Sequence, residues 1–392
     1  MYRGKNVKFK TSKFHLDRLF ECNRESSKIW NMCLDLSREY MINNGKWISK
    51  SQLQAATKNK ALLHSQSIQA VCHKYLEGRD SARKLRVNGH IKARYPYKKK
   101  HNYNTIWVGK SFKIFPNGRI ELSLGIQNGK RTLPIVVRVN PKDLPYGDIK
   151  EIELCYDNGL YLALTYDDLE DEKECNGVNS AGVDLGEIHS IAGFANNGEA
   201  IIITGRKLRS INRLRNKKVA EIQRKQSKCK KYSKQWKKYQ RAKRYILSKS
   251  SAQIKDALHK GTKQFVDWCL EQDIKEVYIG NPEGVQRNTK GKKKKLVNQK
   301  LSNWSFGKHK SYLKYKLESK GIYVEFVDES YTSQTCPVCK RRKKVKGRIY
   351  KCRCGYHEHR DIHGGRNILS KSTLGEICHI DVKTNIKYLR IA

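Results

Sequence analysis

Two periodicities divide this chain. From Lys13 to about Leu85 apolar residues recur at helical spacing: Leu16, Leu19, Phe20, Ile29, Trp30, Met32, Cys33 and Leu36 share one face, and a second pattern over Ser51–Leu85 carries Ala70, Val71 and Tyr75. Before it, residues 1–12 read as a short basic strand in which Lys8-Phe9-Lys10 alternates. After Gly89 the period falls to two. Ser111–Phe115, Arg119–Leu124, Pro134–Val139, Ile149–Cys155 and Leu160–Tyr166 read as strands, and Asn117-Gly118, Asn128-Gly129 and Asn158-Gly159 supply hairpin turns. The pattern predicts a small β-barrel, residues 1–12 and 91–170, interrupted by a helical insert over 13–90.

The polar, acidic stretch Asp167–Asn179 reads as a linker. Beyond it the pattern is mixed α+β. A strand begins at Ser180-Ala-Gly-Val-Asp184 and continues through Ala200–Thr204, a long helical stretch covers 206–272, Lys275–Gly280 and Gly321–Val327 are strands, and Ser305–Lys320 is a helix. The last residues, 373–392, read as a tail.

Charge narrows the class of partner. Lys and Arg number 82 against 37 Asp and Glu, a net +45 spread along the whole chain, which favours a polyanion such as nucleic acid. No apolar run approaches the roughly eighteen residues of a membrane span, and no signal-peptide core is seen, so a soluble, cytoplasmic protein without a membrane partner is expected. The densest basic tract, Arg224 to Arg244, sets Lys230, Lys231, Lys237, Lys238 and Arg241 among Tyr232, Trp236 and Tyr239, a composition suited to backbone tracking with stacking. Arg94-Tyr-Pro-Tyr97 mixes cations and rings in the same way.

Of the 12 cysteines, eight are scattered and read as reduced thiols. The other four, Cys336-x₂-Cys339 and Cys352-x-Cys354, have the spacing of a structural zinc ribbon. The second pair is one residue tighter than usual, leaving His357 or His359 open as a replacement for one thiolate. Carboxylates stand on both sides of this segment: Glu329 before it and Asp361 after it. A third, Asp184, closes an apolar strand beside small residues that let a metal or phosphate approach the backbone.

Taken together and in order, Val183-Asp184-Leu-Gly, Tyr331-Thr-Ser-Gln-Thr-Cys336-Pro-Val-Cys339, Cys354-Gly and His359-Arg360-Asp361…Asn367-Ile resemble the TnpB family, transposon-encoded RNA-guided nucleases related to type V CRISPR effectors and to Fanzor proteins. The resemblance implies a RuvC-like, RNase H-fold nuclease domain over 180–330 and 360–372, with basic helices at 206–260 and an inserted zinc ribbon at 331–359. It also implies a wedge-like role for the N-terminal barrel and a recognition role for its helical insert. Asp184 and Asp361 match the family's first and third acids, which would hold two Mg²⁺ ions. The second acid departs from the common pattern. Where the family carries Glu at the end of the strand Glu276–Gly280, this chain has Gly280. Glu329, at the end of the next strand, is the favoured replacement, with Glu283 as the alternative and Asp328 as a weaker third.

The implied activity is RNA-guided DNA cleavage by a monomer, with a guide RNA and a double-stranded target carrying a short adjacent motif as partners and one Zn²⁺ in the ribbon. Two other readings stay open: a nuclease-inactive RNA-guided repressor, and a DNA-binding accessory to transposition that needs no RNA.

Overall fold

The computed structural model describes residues 1–127, 129–171, 173–282, 294–345 and 347–391. Asn128, Glu283 and the first two lysines after Gly291 lie outside them. The chain divides into two compact units, Met1–Asp171 and Glu172–Ala392.

In the first unit, strands β1 (Tyr2–Val7) and β2 (Phe9–Lys10) lead into helix α1 (Lys13–Asn44). The Ser12 side chain caps α1 by accepting from the His15 amide, and Gly45, at φ 64°, ends it in the left-handed conformation that glycine adopts without strain. The helical pattern therefore breaks once more than the periodicity suggests, and α2 (Lys50–Thr57) and α3 (Ser65–Val87) follow. The remaining strands are β3 (Thr105–Val108), β4 (Phe112–Ile114), β5 (Arg119–Leu122), β6 (Ile126–Gln127), β7 (Lys130–Arg131), β8 (Ile135–Val139), β9 (Asp148–Tyr156) and β10 (Leu160–Asp167).

These strands pair in two four-stranded antiparallel sheets, in the orders β1-β10-β9-β3 and β2-β8-β5-β4, with β6 and β7 as a separate hairpin. Because β1 runs on into β2 and β3 into β4, the pairing continues from β2 through β8, β5, β4, β3, β9 and β10 back to β1, a closed ring compatible with the barrel that the sequence suggests. The chain passes from one sheet to the other four times: directly from β1 to β2 and from β3 to β4, through the helices from β2 to β3, and from β8 to β9. Alternation explains why both sheets share one core: Ile135, Val137 and Val139 of β8, Ile152 and Leu154 of β9, and Leu162 and Leu164 of β10 all face inward. Leu19, Ile29 and Leu34 of α1, with Val71 and Tyr75 of α3, complete the core.

The second unit opens with β11 (Asn179–Asp184), β12 (His189–Ala195) and β13 (Glu199–Thr204). Helices α4 (Arg206–Ser227) and α5 (Lys234–Glu271) follow; the expected continuous helix turns at 228–233, where Tyr232 has φ 67°. Then come β14 (Ile274–Gly280), α6 (Lys295–Asn303), α7 (Phe306–Glu318), β15 (Tyr323–Val327), the ribbon hairpin β16 (Ile349–Lys351) and β17 (His357–His359), α8 (Arg360–Leu374) and β18 (Asn385–Arg390).

Six of these strands form one mixed sheet in the order β15-β14-β11-β12-β13-β18. Strands β11 to β13 are an antiparallel meander, β14 and β15 join parallel on one side, and β18 joins parallel to β13 on the other. Residues 373–392, expected as a tail, thus supply an edge strand of the sheet. Every residue of β12 is buried because helices cover both faces. Ile191 and Ala195 face the core that includes Phe265 and Trp268 of α5, whereas Ala192 and Phe194 face Ile362 and Leu369 of α8. Helix α8 lies at backbone contact on β11: a Cβ on Gly182 would stand 2.2 Å from the Gly365 carbonyl oxygen. That approach brings the N-terminus of α8 to the end of β11.

Candidate functional site

Asp184 is the last residue of β11, Glu329 lies two residues past β15, and Asp361 sits in the first turn of α8. Strands β11, β14 and β15 run parallel, with Val183 opposite Ile279 and Gly280 opposite Val327, so their carboxyl ends share one edge of the sheet. At that edge the three acids converge. A Cβ on Gly364 of α8 would meet Asp184 Oδ2 at 2.9 Å, and a Cβ on Gly280 would meet Glu329 Oε2 at 2.6 Å. The Glu329 carboxylate therefore occupies the space above the strand end where Gly280 has no side chain. Asp328 turns away: it is exposed and pairs with Lys371 at 3.0 Å. Glu283 lies outside the described residues.

The electrostatics are those of crowded acids. Burial, with the charges of Glu329 and Asp361 added to it, pushes the Asp184 carboxyl up to about 8. Burial and the neighbouring Asp328 raise Glu329 to about 7. Burial opposes the charge of Asp361 as well, but a hydrogen bond from His189 Nδ1 at 2.6 Å, with the fields of His189, His359 and Arg348, outweighs it and holds this acid below its ordinary value. Glu329 Oε2 is buried without a hydrogen-bond partner. A buried carboxylate oxygen left in this state is costly, and a cation among three carboxylates removes the cost. The all-oxygen donor set suits Mg²⁺.

The ribbon fits zinc. Cys336 and Cys354 place their Sγ atoms 3.6 Å apart, Cys339 and Cys352 theirs 3.4 Å apart, and all four lie within 4.8 Å of one another. With Zn–S bonds of about 2.3 Å, a tetrahedral thiolate site has sulfur–sulfur edges of roughly 3.8 Å, so little movement would close it. His357 and His359 stand outside this cluster; His359 groups with His189 and Asp361 instead. The fully buried Asn367 ties the ribbon to α8, its Nδ2 donating to the Thr332 carbonyl at 2.7 Å and to the Thr335 carbonyl at 2.8 Å. Thr332 in turn donates its hydroxyl to the Glu329 carbonyl at 2.8 Å. The loop bearing Glu329 and the helix bearing Asp361 are thereby joined. Behind them a buried Arg366 grips Glu358 through two hydrogen bonds, 3.0 and 2.9 Å, and reaches Thr384 near the start of β18.

The basic residues singled out in the sequence lie on the surface. Arg224 closes α4, Lys230 and Lys231 sit in the turn, Lys237, Lys238, Arg241 and Arg244 line α5, and all are exposed. In the first unit exposed Arg94 lies 6.0 Å from the ring centroid of Tyr97. Sequence reading missed a second basic surface. A cavity of about 990 Å³ is lined by Arg206, Arg209, Arg213 and Lys217, with Trp304 opposite them and Gly186-Glu187 at its edge. The four cations recur every three or four residues along one face of α4, a signal visible in the sequence once the helix start is known. Arg348 lines the same cavity and reaches Asp361 Oδ2 at 3.5 Å, so one side chain links the cavity to an acid of the site. Among the described residues, no helix is long and apolar enough to cross a membrane.

Comparison with known proteins defines the class. The fold is similar to that of Cas12f1 in a Cas12f1–guide RNA–target DNA complex, at a TM-score of 0.66 and 16% identity over 91% of this chain and 83% of that one. Residues 163–286 match the family model described as "Probable transposase" (OrfB_IS605), and residues 306–368 match "Cas12f1-like, TNB domain". A TnpB-like protein of Methanocaldococcus jannaschii is 31% identical over 121 residues, 30% of this chain and 43% of that protein. The CRISPR-associated endodeoxyribonuclease Cas12f1 of Sulfoacidibacillus thermotolerans is 38% identical over 72 residues, 17% of each chain. These alignments span less than half the length of the curated relatives. Two stretches of this chain, residues 163–286 and 306–368, are thus similar to TnpB-related proteins.

Proposed function

We propose that this protein is an RNA-guided DNA endonuclease acting in the cytoplasm, with Asp184, Glu329 and Asp361 as its catalytic acids. The observation that carries the reading is the convergence of the three acids at one sheet edge, with an orphaned Glu329 oxygen above Gly280. The sheet supports a RuvC-like assignment, because a three-stranded antiparallel meander extended by two parallel strands next to its first strand is the order of an RNase H fold.

Asp184, Glu329 and Asp361 would hold two Mg²⁺ ions, which when bound supply an acidified water and charge at the leaving oxygen of a phosphodiester. The chain's own groups do the rest. The Arg206–Lys217 face of α4 and Arg348 draw a phosphate backbone along the cavity towards the acids, and Trp304 offers a ring for a base. The four ribbon cysteines hold one Zn²⁺ and so close the segment between Glu329 and Asp361. The first unit acts as wedge and recognition module, with Arg94 and Tyr97 on its nucleic-acid surface. The tract from Arg224 to Arg244 binds the guide–target duplex by its backbone, sequence being read by pairing.

The test is incubation of the protein, its guide RNA, matched double-stranded DNA and Mg²⁺. Cleavage is expected from the natural chain, and Asp184→Ala is expected to abolish it while sparing guide-dependent DNA binding. DNA bound but left intact by the natural chain would make it a repressor. Specific binding that survives ribonuclease treatment would make it an RNA-independent DNA-binding protein.

A further inference from the structure

Asp361 is held by a chain of two further side chains that ends on the last strand. His189, at the start of β12 and 5% exposed, lies 2.6 Å through Nδ1 from Asp361 Oδ2, and its Nε2 lies 2.8 Å from the Tyr388 hydroxyl. The rings of His189 and Tyr388 meet edge to face at 88°. An ionised carboxylate only accepts hydrogen bonds, so Nδ1 carries a proton and donates it to Asp361, while Nε2 and the Tyr388 hydroxyl share the second hydrogen bond. Tyr388 belongs to β18 opposite Ile202 of β13, while His189 stands opposite Thr204 on the far side of β13. The tyrosine thus reaches across one strand to the histidine.

We infer that Tyr388 and His189 are positioning residues that orient the Asp361 carboxylate for a divalent cation, so that docking of the C-terminal strand completes the metal site. With Oδ2 engaged by His189, the other oxygen is directed to the cation, and the ring cannot swing while Tyr388 holds its far nitrogen. Strand β18 lies at the sheet edge and is mostly exposed, its side-chain burial concentrated at Leu389 and the adjoining Ile391. Edge strands of this kind open more readily than central ones, so the metal site inherits the docking equilibrium of β18.

The inference rests on the reading of Asp361 as a metal ligand, and its test separates the two. Mn²⁺ binding to the full-length chain is measured by electron paramagnetic resonance for the natural protein, His189→Ala, His189→Asn and Tyr388→Phe, with melting temperature alongside. His189→Ala is expected to weaken Mn²⁺ binding roughly 10- to 100-fold. His189→Asn keeps a donor near the Nδ1 position and should recover most of that loss. Tyr388→Phe should weaken binding about 2- to 10-fold, the worth of one hydrogen bond. In cleavage assays the half-saturating Mg²⁺ concentration should rise in the same order while the rate at saturating Mg²⁺ largely returns. Unchanged Mn²⁺ affinity in Tyr388→Phe overturns the part given to β18. A His189→Asn variant no better than His189→Ala reduces the histidine to packing and overturns the rest. Should His189→Ala fail to fold, the other two variants still decide. If Asp184→Asn leaves Mn²⁺ binding intact, the nuclease site itself is misread; if the variants behave as expected but no DNA is cut, only the activity is.

Discussion

The Oε2 atom of Glu329 lies 2.6 Å from the point where a Cβ on Gly280 would stand, although the two residues end different strands. Ordinary side-chain contacts do not come that close, so the glycine and the glutamate are mutually required: the first leaves the space and the second fills it.

Gly280→Ala should therefore cost catalysis without costing the fold. The added methyl would also meet Ile368 Cδ1 at 2.8 Å, so it has no free direction, and Glu329 must shift. A displacement of about 1 Å at a catalytic group lowers the rate on the order of 100-fold. Single-turnover cleavage measures it. The double variant Gly280→Glu with Glu329→Ala returns the acid to the neighbouring strand and should cleave faster than Glu329→Ala alone. A Glu329→Ala protein as active as the natural chain would remove Glu329 from the site.

The ribbon should be inseparable from the acids it separates. One zinc per chain is expected by elemental analysis, and Cys336→Ser should lose it together with several degrees of melting temperature. Because Asn367 joins Thr332 and Thr335 to α8, loss of the ribbon should also displace Glu329 relative to Asp361. Cleavage should then fall even with saturating Mg²⁺. A zinc-free variant with full activity would confine the ribbon to another role.

Metal-free stability should fall as pH rises through neutrality. Asp184 and Glu329 are raised from 3.8 and 4.5 to about 8 and about 7, burial being the main cause in each. The folded state then binds more protons than the unfolded one in this range, and stability declines as they leave. Buried His309 and His363, lowered to about 4 from 6.5 mainly by burial, act in the opposite sense, but only below 6.5. Cys352, lowered from 9.0 to about 6 chiefly by a hydrogen bond from the Cys354 backbone, also acts in the opposite sense, inside the range. The acids are therefore isolated by melting the natural chain beside Asp184→Asn in EDTA between pH 6.5 and 8. A falling melting temperature is expected, which Mg²⁺ should flatten and Asp184→Asn should reduce. Equal stability across that window, with no response to Mg²⁺, would show that these acids are not crowded.

Much of the candidate site was legible in the sequence. Asp184 and Asp361 lie in short motifs, and the cysteine spacing marks a candidate ligand set, because a four-thiolate site is built from two tight turns whose geometry depends on a few adjacent residues. The strands of the first unit were legible for the same reason: inward and outward positions alternate locally in β8, β9 and β10. The cations of α4 were present in the sequence yet unread, since their alignment appears only when the helix is separated from α5 by the turn at 228–233.

What periodicity could not supply was adjacency between distant segments. That Glu329 fills the space over Gly280 depends on β14 and β15 pairing in parallel, with Gly280 opposite Val327. That the last residues of the chain form a strand, rather than a tail, depends on the open edge of β13. His189 and Tyr388 are 199 residues apart and carry no shared motif. Local spacing marks the helices, most of the strands and the paired cysteines, because those follow from residues close in the chain. Which strand ends meet, and hence which carboxylates and supporting side chains gather at the candidate site, follows from the fold alone, because hydrogen-bond pairing and close packing join residues with no local signal of each other.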